Sequence, residues 1–491
     1  MPKNRIPCQL LLVAFVLVLA KPAMAQKTIA APTVSRKESQ EKKPHIILFL
    51  ADDLGWGDVG YHGGQIKTPN IDSLAKAGTR LNRFYVMPVC SPTRGAILTG
   101  RYPMRLGLQC GVVRPWAAHG LPTDERTLPQ ALKEVGYRTA IVGKWHLGHN
   151  DPKFLPTKRG FDFQYGHYNG ALDYFTHIRD GGHDWHRNDI RNDDQGYATE
   201  LIAKEAVQVV KNHDKSKPLF LYVPFNAPHT PIQAPRKYVD AYSNIKNEKR
   251  RVFAGMVACM DDAIGQVLAQ LETSGFAKED TLIIFLSDNG GIRQFGSVGS
   301  WRGQKGTLYE GGVRSPTVIV WKDKVKAESK VDAPLHAVDL YPTLLRIAGA
   351  KLEQEKALDG LDVWPTITEG KPSPHKQILL NSNPFTGAIM EGNWKLVWNG
   401  QVRANQTNRP KNEKWELFDL AKDPSEKVNL YNDGKGDVAI RLKKMLKEYR
   451  RDAAKPNIPP NRKPDDFKIP KVWGEKQQLR PRSGIDAKGL T

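Results

Sequence analysis

The chain has 491 residues, enough for one large core with a smaller unit beside it. Its formal net charge is +21, a field that favours polyanions such as nucleic acid, anionic lipid or sulfated polysaccharide. No zinc finger, RNP box or basic heptad region accompanies the charge, so it does not fit the common nucleic-acid readers; a basic surface kept for solubility is the plainer alternative.

Lys3 and Arg5, the apolar run Leu10 to Ala20 and the small-x-small site Ala23-Met24-Ala25 predict a secretory signal over residues 1–25, cut before Gln26. The run is too short to span a bilayer, and no second long apolar run follows. The expectation is therefore an exported protein, periplasmic or secreted, with no membrane span. The processed chain would keep Cys90, Cys110 and Cys259. Three is odd, so at least one cysteine stays unpaired or is converted, while pairing of Cys110 with Cys259 is left open.

Residues 26–44 are polar and read as a flexible lead-in. The apolar runs in HIILFLADD (45–53), TAIVGKWH (139–146), PLFLYVPFNAPH (218–229) and TLIIFLSDNGG (281–291) each stop in polar or charged residues. Such runs suit strands buried on both faces, as in a parallel sheet. Helical patterns alternate with them at 70–81, 128–136, 197–213 and 253–275. The alternation predicts an α/β domain over 45–375. In open α/β sheets, ligands bind beyond the carboxyl ends of the strands. Asp52, Asp53, Lys144, His146, His229, Asp288 and Asn289 all lie at such ends and could meet in one pocket.

Near residue 375 the pattern changes to short antiparallel strands (ILLNSN, NWKLVWNG, KWELFDL) and an amphipathic helix over 439–453, which predicts a smaller α+β subdomain over 376–453. Residues 454–491, rich in Pro, Lys and Arg, read as an extended or disordered tail.

Cys90 opens the stretch CSPTRGAILTGRYP (90–103). Ser91 suits a helix N-cap, Pro92 the first helical position and Gly100 the stop. Cys90 would then sit where free N–H groups favour negative charge, as an anion-handling nucleophile or as a buried or redox cysteine. The pairs Asp52-Asp53 and Asp288-Asn289 offer oxygens to a hard cation, Ca²⁺ or Mg²⁺, although an isolated Asp-Asp pair also suits a solvated turn or a helix cap. Taken singly, Lys144, His146, His229 and Lys305 are equally compatible with surface or structural roles. His167, His177, His183 and His186 could line a substrate mouth or sit in solvated loops.

The spacing Cys90-x-Pro92-x-Arg94 and its extension resemble the maturation signal of the formylglycine-dependent sulfatases. ADDLGWGDVGYHG (51–63) and LSDNGG (286–291) resemble that family's two metal segments. GKWHLG (143–148), NAPHTP (226–231) and RGQKGTLYEGGVR (302–314) resemble those that carry its lysines and histidines. Within the family, LPTKRGFDFQYGHYNGALDYFTH, PIQAP and VWGE (472–475) are similar to the arylsulfatase B, N-acetylgalactosamine-4-sulfatase, branch, though the chain lacks that branch's many cysteines.

The resemblance implies an alkaline-phosphatase-like fold: a large mixed, mostly parallel sheet flanked by helices. It implies oxidation of Cys90 to formylglycine by a formylglycine-generating enzyme. It also implies a Ca²⁺ site (Mg²⁺ possible) built from Asp52, Asp53, Asp288, Asn289 and position 90. Sulfate esters of a polysaccharide or oligosaccharide would be hydrolysed by a formylglycine-hydrate nucleophile through a sulfated-enzyme intermediate. Arg94, Lys144 and His146 would serve the nucleophile, and His229 with Lys305 the departing oxygen. A phosphoester or phosphonate hydrolase of the same superfamily, and an inactive binder of sulfated glycans, are the alternatives.

Overall fold

The computed structural model describes residues 42–402, 412–458, 460 and 462–475. The predicted signal peptide and residues 26–41 of the lead-in lie outside the described residues.

The apolar runs form the strands expected of them: β1 His45–Ala51, β3 Arg138–Lys144, β7 Leu219–Pro224 and β8 Thr281–Ser287. Shorter strands complete one sheet: β2 Thr79–Leu81, β4 Phe163–His167, β5 His186–Arg187, β6 Ile190–Arg191, β9 Val318–Val320 and β10 Ser329–Val331. The strand order is β10-β2-β9-β8-β1-β7-β3-β4-β5-β6. The central five, from β8 to β4, are parallel, while β9 and β5 join them antiparallel.

Side chains alternate across a strand, so both faces of β1 need cover. Ile47 and Phe49 pack into a core with α4 (Ala198–Lys211) and α5 (Glu248–Thr273), through Ile202, Ala206, Phe253 and Met260. Ile46, Leu48 and Leu50 pack into a second core with α2 (Cys90–Thr99) and α3 (Leu128–Lys133), through Ile97, Leu98, Leu128 and Leu132. The helix α5 is long and apolar enough to cross a membrane, yet it is a core helix of this layer.

The helical pattern at 70–81 divides. Helix α1 covers Pro69–Ala77 and β2 follows at Thr79. Gly78 lies between them because a Cβ there would sit 2.1 Å from the Ile319 carbonyl oxygen.

The C-terminal unit is a four-stranded antiparallel sheet: β11 Ile378–Ser382, β12 Gly387–Glu391, β13 Trp394–Trp398 and β14 Trp415–Asp419. Strand β12 is an addition to the sequence reading. One face packs on α6 (Gly436–Arg451), joining Leu379, Ile389 and Leu396 to Leu442 and Leu446. The other face lays Leu380, Met390 and Phe418 against Tyr85, Leu308 and Val313 of the larger layer.

A buried ion cluster crosses the same boundary. Lys395 Nζ lies 2.9 Å from Glu310 and 2.8 Å from Glu426, with all three side chains fully buried. Between α6 and Glu475 the described residues hold little regular structure but pack closely, whereas residues 476–491 of the predicted tail lie outside the described residues. Ala454 N–H donates to Met104 O, Asn457 N–H to Gly107 O, and Trp473 is buried.

Removing one member of a buried ion pair strands the other charge, at a cost of about 3–5 kcal/mol. Lys395→Met is expected to lower unfolding free energy by that order in denaturant titrations. Retained wild-type stability would mean that the cluster does not brace the two units.

Candidate active site

Four adjacent strands deliver the site. Beyond the carboxyl end of β8 lie Asp288 and Asn289, and beyond β1 lie Asp52 and Asp53. The loop after β7 carries His229, and β3 ends in Lys144, two residues before His146. Helix α2 brings Cys90 and Arg94 from the layer above, and the loop before Leu308 brings Lys305. The seven side chains Asp52, Asp53, Cys90, Arg94, Lys144, Asp288 and Asn289 are buried, whereas His229 and Lys305 are 17% and 18% exposed.

Two backbones are held in the left-handed region, Asp53 (φ 69°) and His146 (φ 58°). A non-glycine residue there costs on the order of 1–3 kcal/mol and persists only where its surroundings enforce it. Ser91 supplies part of that enforcement. Helix α2 begins at Cys90 with Val89 as its cap, so Ser91 is not the N-cap the sequence suggested. Its Oγ instead donates to His146 O (2.8 Å) and accepts from Val113 N (3.0 Å). Gly100 ends the helix in the left-handed region, as its residue type implied.

Charge is balanced pair by pair. Arg94 donates to Asp288 Oδ2 from Nε (3.1 Å) and Nη2 (2.8 Å), and from Nη1 to Lys144 O (3.0 Å). The Lys144 ammonium bonds one oxygen of Asp52, and Cys90 Sγ donates to the other at 3.3 Å. Lys305 Nζ lies 2.6 Å from Asp53 Oδ1 and 3.5 Å from Cys90 Sγ. Burial opposes ionisation of Asp53, but Lys305 and then His229 outweigh it and hold the carboxyl down at about 2. Burial, then the Asp288 and Asp52 charges, push the Cys90 thiol well above its usual range. Burial and then Lys305 lower His229 to about 3, and burial and then Lys144 hold His146 well below the ordinary imidazole value.

This donor set fits a hard cation. Ligand atoms of Asp52, Asp53, Cys90 and His229 lie within 4.8 Å of one another. Asn289 donates from Nδ2 to Asp53 Oδ1 (2.8 Å), while its buried Oδ1 has no hydrogen-bond partner. An acceptor left without a donor in a nest of carboxylates suits a metal ligand. His229, read from the sequence as a catalytic group, also stands within reach of that cluster.

Every site residue expected from the sequence is thus in one place. The four histidines left open earlier are neither solvated nor at the mouth: His167, His177, His183 and His186 are all buried. Cys110 and Cys259 are free rather than paired. Above Cys90 lies a cavity of about 550 Å³, lined also by His146, His229 and Lys305 and, beyond them, by Arg114, Gly170 and Arg179. Sequence reasoning missed Ser91's bridging role, Arg114, Gly170 and Arg179. Gly170 leaves room for the His146 ring, which a Cβ would approach to 2.4 Å. None of these four carries a spacing or periodicity that marks it.

Comparison with known proteins agrees with this arrangement. The sulfatase family profile matches residues 44–350, and that of the N-sulphoglucosamine sulphohydrolase C-terminal region matches residues 300–452. Mouse (Mus musculus) arylsulfatase J is 38% identical, the match covering 88% of this chain and 80% of that protein. Mouse N-acetylgalactosamine-6-sulfatase is 32% identical over 83% and 86% respectively. The crystal structure of Ps i-CgsB in complex with k-i-k-neocarrahexaose superposes with a TM-score of 0.76 at 34% identity, covering 84% of this chain and 94% of that one. The fold is alkaline-phosphatase-like, a ten-stranded mixed sheet with a small antiparallel C-terminal sheet.

A ligand that binds only the folded state stabilises it, by about 2.7 kcal/mol at a hundred times its Kd. Calcium added to chelator-treated protein is therefore expected to raise the thermal midpoint, and Asp53→Ala to remove most of that rise. An equal rise in the variant would exclude Asp53 as a ligand.

Proposed function

Since this chain belongs to the sulfatase family and hydrolyses sulfate esters, we propose that its substrate is a sulfated oligosaccharide or polysaccharide, attacked from position 90 after conversion of Cys90 to formylglycine. The observation that carries this reading is the setting of Cys90. Its Sγ donates to Asp52 at 3.3 Å and lies 3.5 Å from Lys305 Nζ, inside the nest of carboxylates that suits a cation. It also faces the cavity, which His146, His229 and Lys305 line with it.

A formylglycine hydrate at position 90 would offer two hydroxyls, one to attack sulfur as the alcohol oxygen of the ester departs and one whose deprotonation would let the C–O bond to sulfate break and restore the aldehyde. A calcium ion held by Asp52, Asp53, Asp288 and Asn289 would supply positive charge for the sulfate oxygens. Calcium suits a cage of protein oxygens better than magnesium, which keeps several waters. Arg94 fixes Asp288 and, through Lys144 O, the end of β3. Lys305 Nζ lies 3.5 Å from the position 90 sulfur and Lys144 Nζ bonds Asp52, which Cys90 also meets; both stabilise charge on the transferring group. His146 orients the nucleophile, and its Nε2 is tied to Val113 O at 3.1 Å. His229, with Nδ1 on Thr230 O at 2.6 Å, serves the departing oxygen together with Lys305.

Three buried carboxylates face three buried or half-buried cations here. A divalent cation added to that balance leaves the pocket positive, which draws in an anionic ester. The cavity volume suits one or two sugar units. The segments similar to arylsulfatase B and the N-acetylgalactosamine-6-sulfatase relative both support a galacto-configured sugar sulfate. The signal-like residues 1–25 support export, where such polysaccharides are met.

Two measurements test the chemistry. In protein made alongside a formylglycine-generating enzyme, the tryptic peptide Phe84 to Arg94 is expected to carry an aldehyde or its hydrate at position 90. Cys90→Ser is expected to lose turnover by on the order of 10⁴-fold or more; an intact thiol in fully active protein would overturn the reading. His229→Ala is expected to slow release from sugar sulfates far more than from nitrophenyl sulfate, whose leaving oxygen needs no proton. Equal losses on both would remove His229 from that role.

A further inference from the structure

Arg114 and Arg179 take no part in the reaction as derived, yet both line the cavity that holds Cys90, His146, His229 and Lys305. They are 65 residues apart in sequence and belong to different loops. Burial and then the charge of Arg179 lower the Arg114 guanidinium from its usual value, so the two cations feel one another across the cavity. Arg179 also pairs with Asp180 at 3.1 Å, and its side chain keeps 28% exposure. Two guanidinium groups lining one cavity suit a sulfate or carboxylate, which a guanidinium can bind in bidentate fashion.

The loops that carry them are built rather than slack. Arg114 stands between two pinned neighbours: Val113 O meets His146 Nε2 (3.1 Å), and Pro115 O meets His149 Nε2 (3.0 Å). Two residues on, Trp116 Nε1 donates to Pro460 O at 2.6 Å. Arg179 is fixed from the same C-terminal strap, because its carbonyl accepts from Trp473 Nε1 at 2.8 Å. His183 N–H donates to Lys471 O, and Trp473 N–H to His183 O, each at 2.9 Å. Gly182 permits that approach, since a Cβ there would lie 2.8 Å from Trp473 Nε1. A single strap thus ties both arginine loops.

We propose that Arg114 and Arg179 form a second anion subsite, which takes a further sulfate or carboxylate of the same saccharide while the first sulfate sits at position 90, and that Trp473 is its positioning residue. The proposal rests on the sulfated-saccharide reading above and narrows it to chains with at least two anionic groups close together. Lys144, Lys305 and the metal ligands serve the reacting sulfate; the arginine pair serves its neighbour.

The test uses the full chain carrying Cys90→Ala, with calcium, so that ligands bind without turnover. Calorimetry compares three galacto-configured disaccharides: one sulfate, two sulfates, and one sulfate with a uronate. A preference of about tenfold or more for a doubly charged ligand, about 1.4 kcal/mol, is expected, shrinking as salt screens the contact. Which doubly charged ligand wins identifies the second anion as sulfate or carboxylate. Arg114→Gln and Arg179→Gln are each expected to bring the preference towards one, with thermal unfolding confirming that they fold.

Trp473→Phe keeps a ring against Phe467 but removes the bond to Arg179 O together with part of the buried indole, so it is expected to lower the preference while leaving affinity for the singly sulfated ligand unchanged, whatever it costs in thermal stability. Equal affinity for one and two charges, or a preference that survives both arginine variants, would overturn the subsite. A preference untouched by Trp473→Phe would overturn the positioning role. Sulfate release by the mature enzyme is scored separately, so its absence beside an intact preference would sink the hydrolysis reading and not the subsite.

Discussion

The structure depends on the burial of three carboxylates at one edge of a sheet. Asp52, Asp53 and Asp288 have no exposed surface, and an unpaired charge in such a place costs about 3–5 kcal/mol, a large share of a domain's net stability. Each is matched by a cation from elsewhere in the chain: Lys144 from β3, two strands over from β1, Lys305 from a distant loop, and Arg94 from the helix above. The pairing also sets the chemistry, since an array of fixed opposite charges needs little rearrangement when an anion arrives.

The same array decides what Cys90 can be. A helix amino terminus alone would favour a thiolate. Here the carboxylates of Asp52 and Asp288, added to full burial, outweigh that preference.

Much of this was legible in the sequence because the signals are local. A six-residue apolar run has few ways to be buried other than as a central parallel strand, so the polar residues after β1, β3, β7 and β8 had to converge at one edge. The division of 70–81 into helix and strand was hidden, since it follows from Gly78 meeting the Ile319 carbonyl, a contact between segments far apart. Ser91 looked like a cap because its neighbours fit one; its actual bonds, to His146 O and Val113 N, depend on tertiary packing. The four histidines were left between a substrate mouth and solvated loops because nothing local shows that Trp185 stacks on His177 and that Asp184 meets His186. The strap at 454–475 reads as Pro- and Lys-rich tail, and only Trp473, deeply buried, reveals its docking.

The C-terminal unit then has a definite part in the site although it contributes none of the site residues recognised from the sequence. Lys305 must reach Asp53 and Cys90 from a loop with no strand of its own. That loop is held on one side by the larger layer, where Lys305 N–H donates to Gly291 O and Gly306 N–H to Pro88 O. On the other side Val402 N–H donates to Gly306 O and Leu308 N–H to Gly400 O, both from the chain just after β13. Arg302 reaches Glu416 on β14, and Glu310 N–H reaches the Glu426 carboxylate. The loop is clamped at residues 302, 306, 308 and 310, so Lys305 has little freedom left to lose when it meets an anion. Fixing a long lysine side chain costs entropy that a flexible loop would charge at each turnover; the second sheet removes that cost in advance, which explains why a unit without chemistry of its own is joined to the larger one by a buried ion cluster.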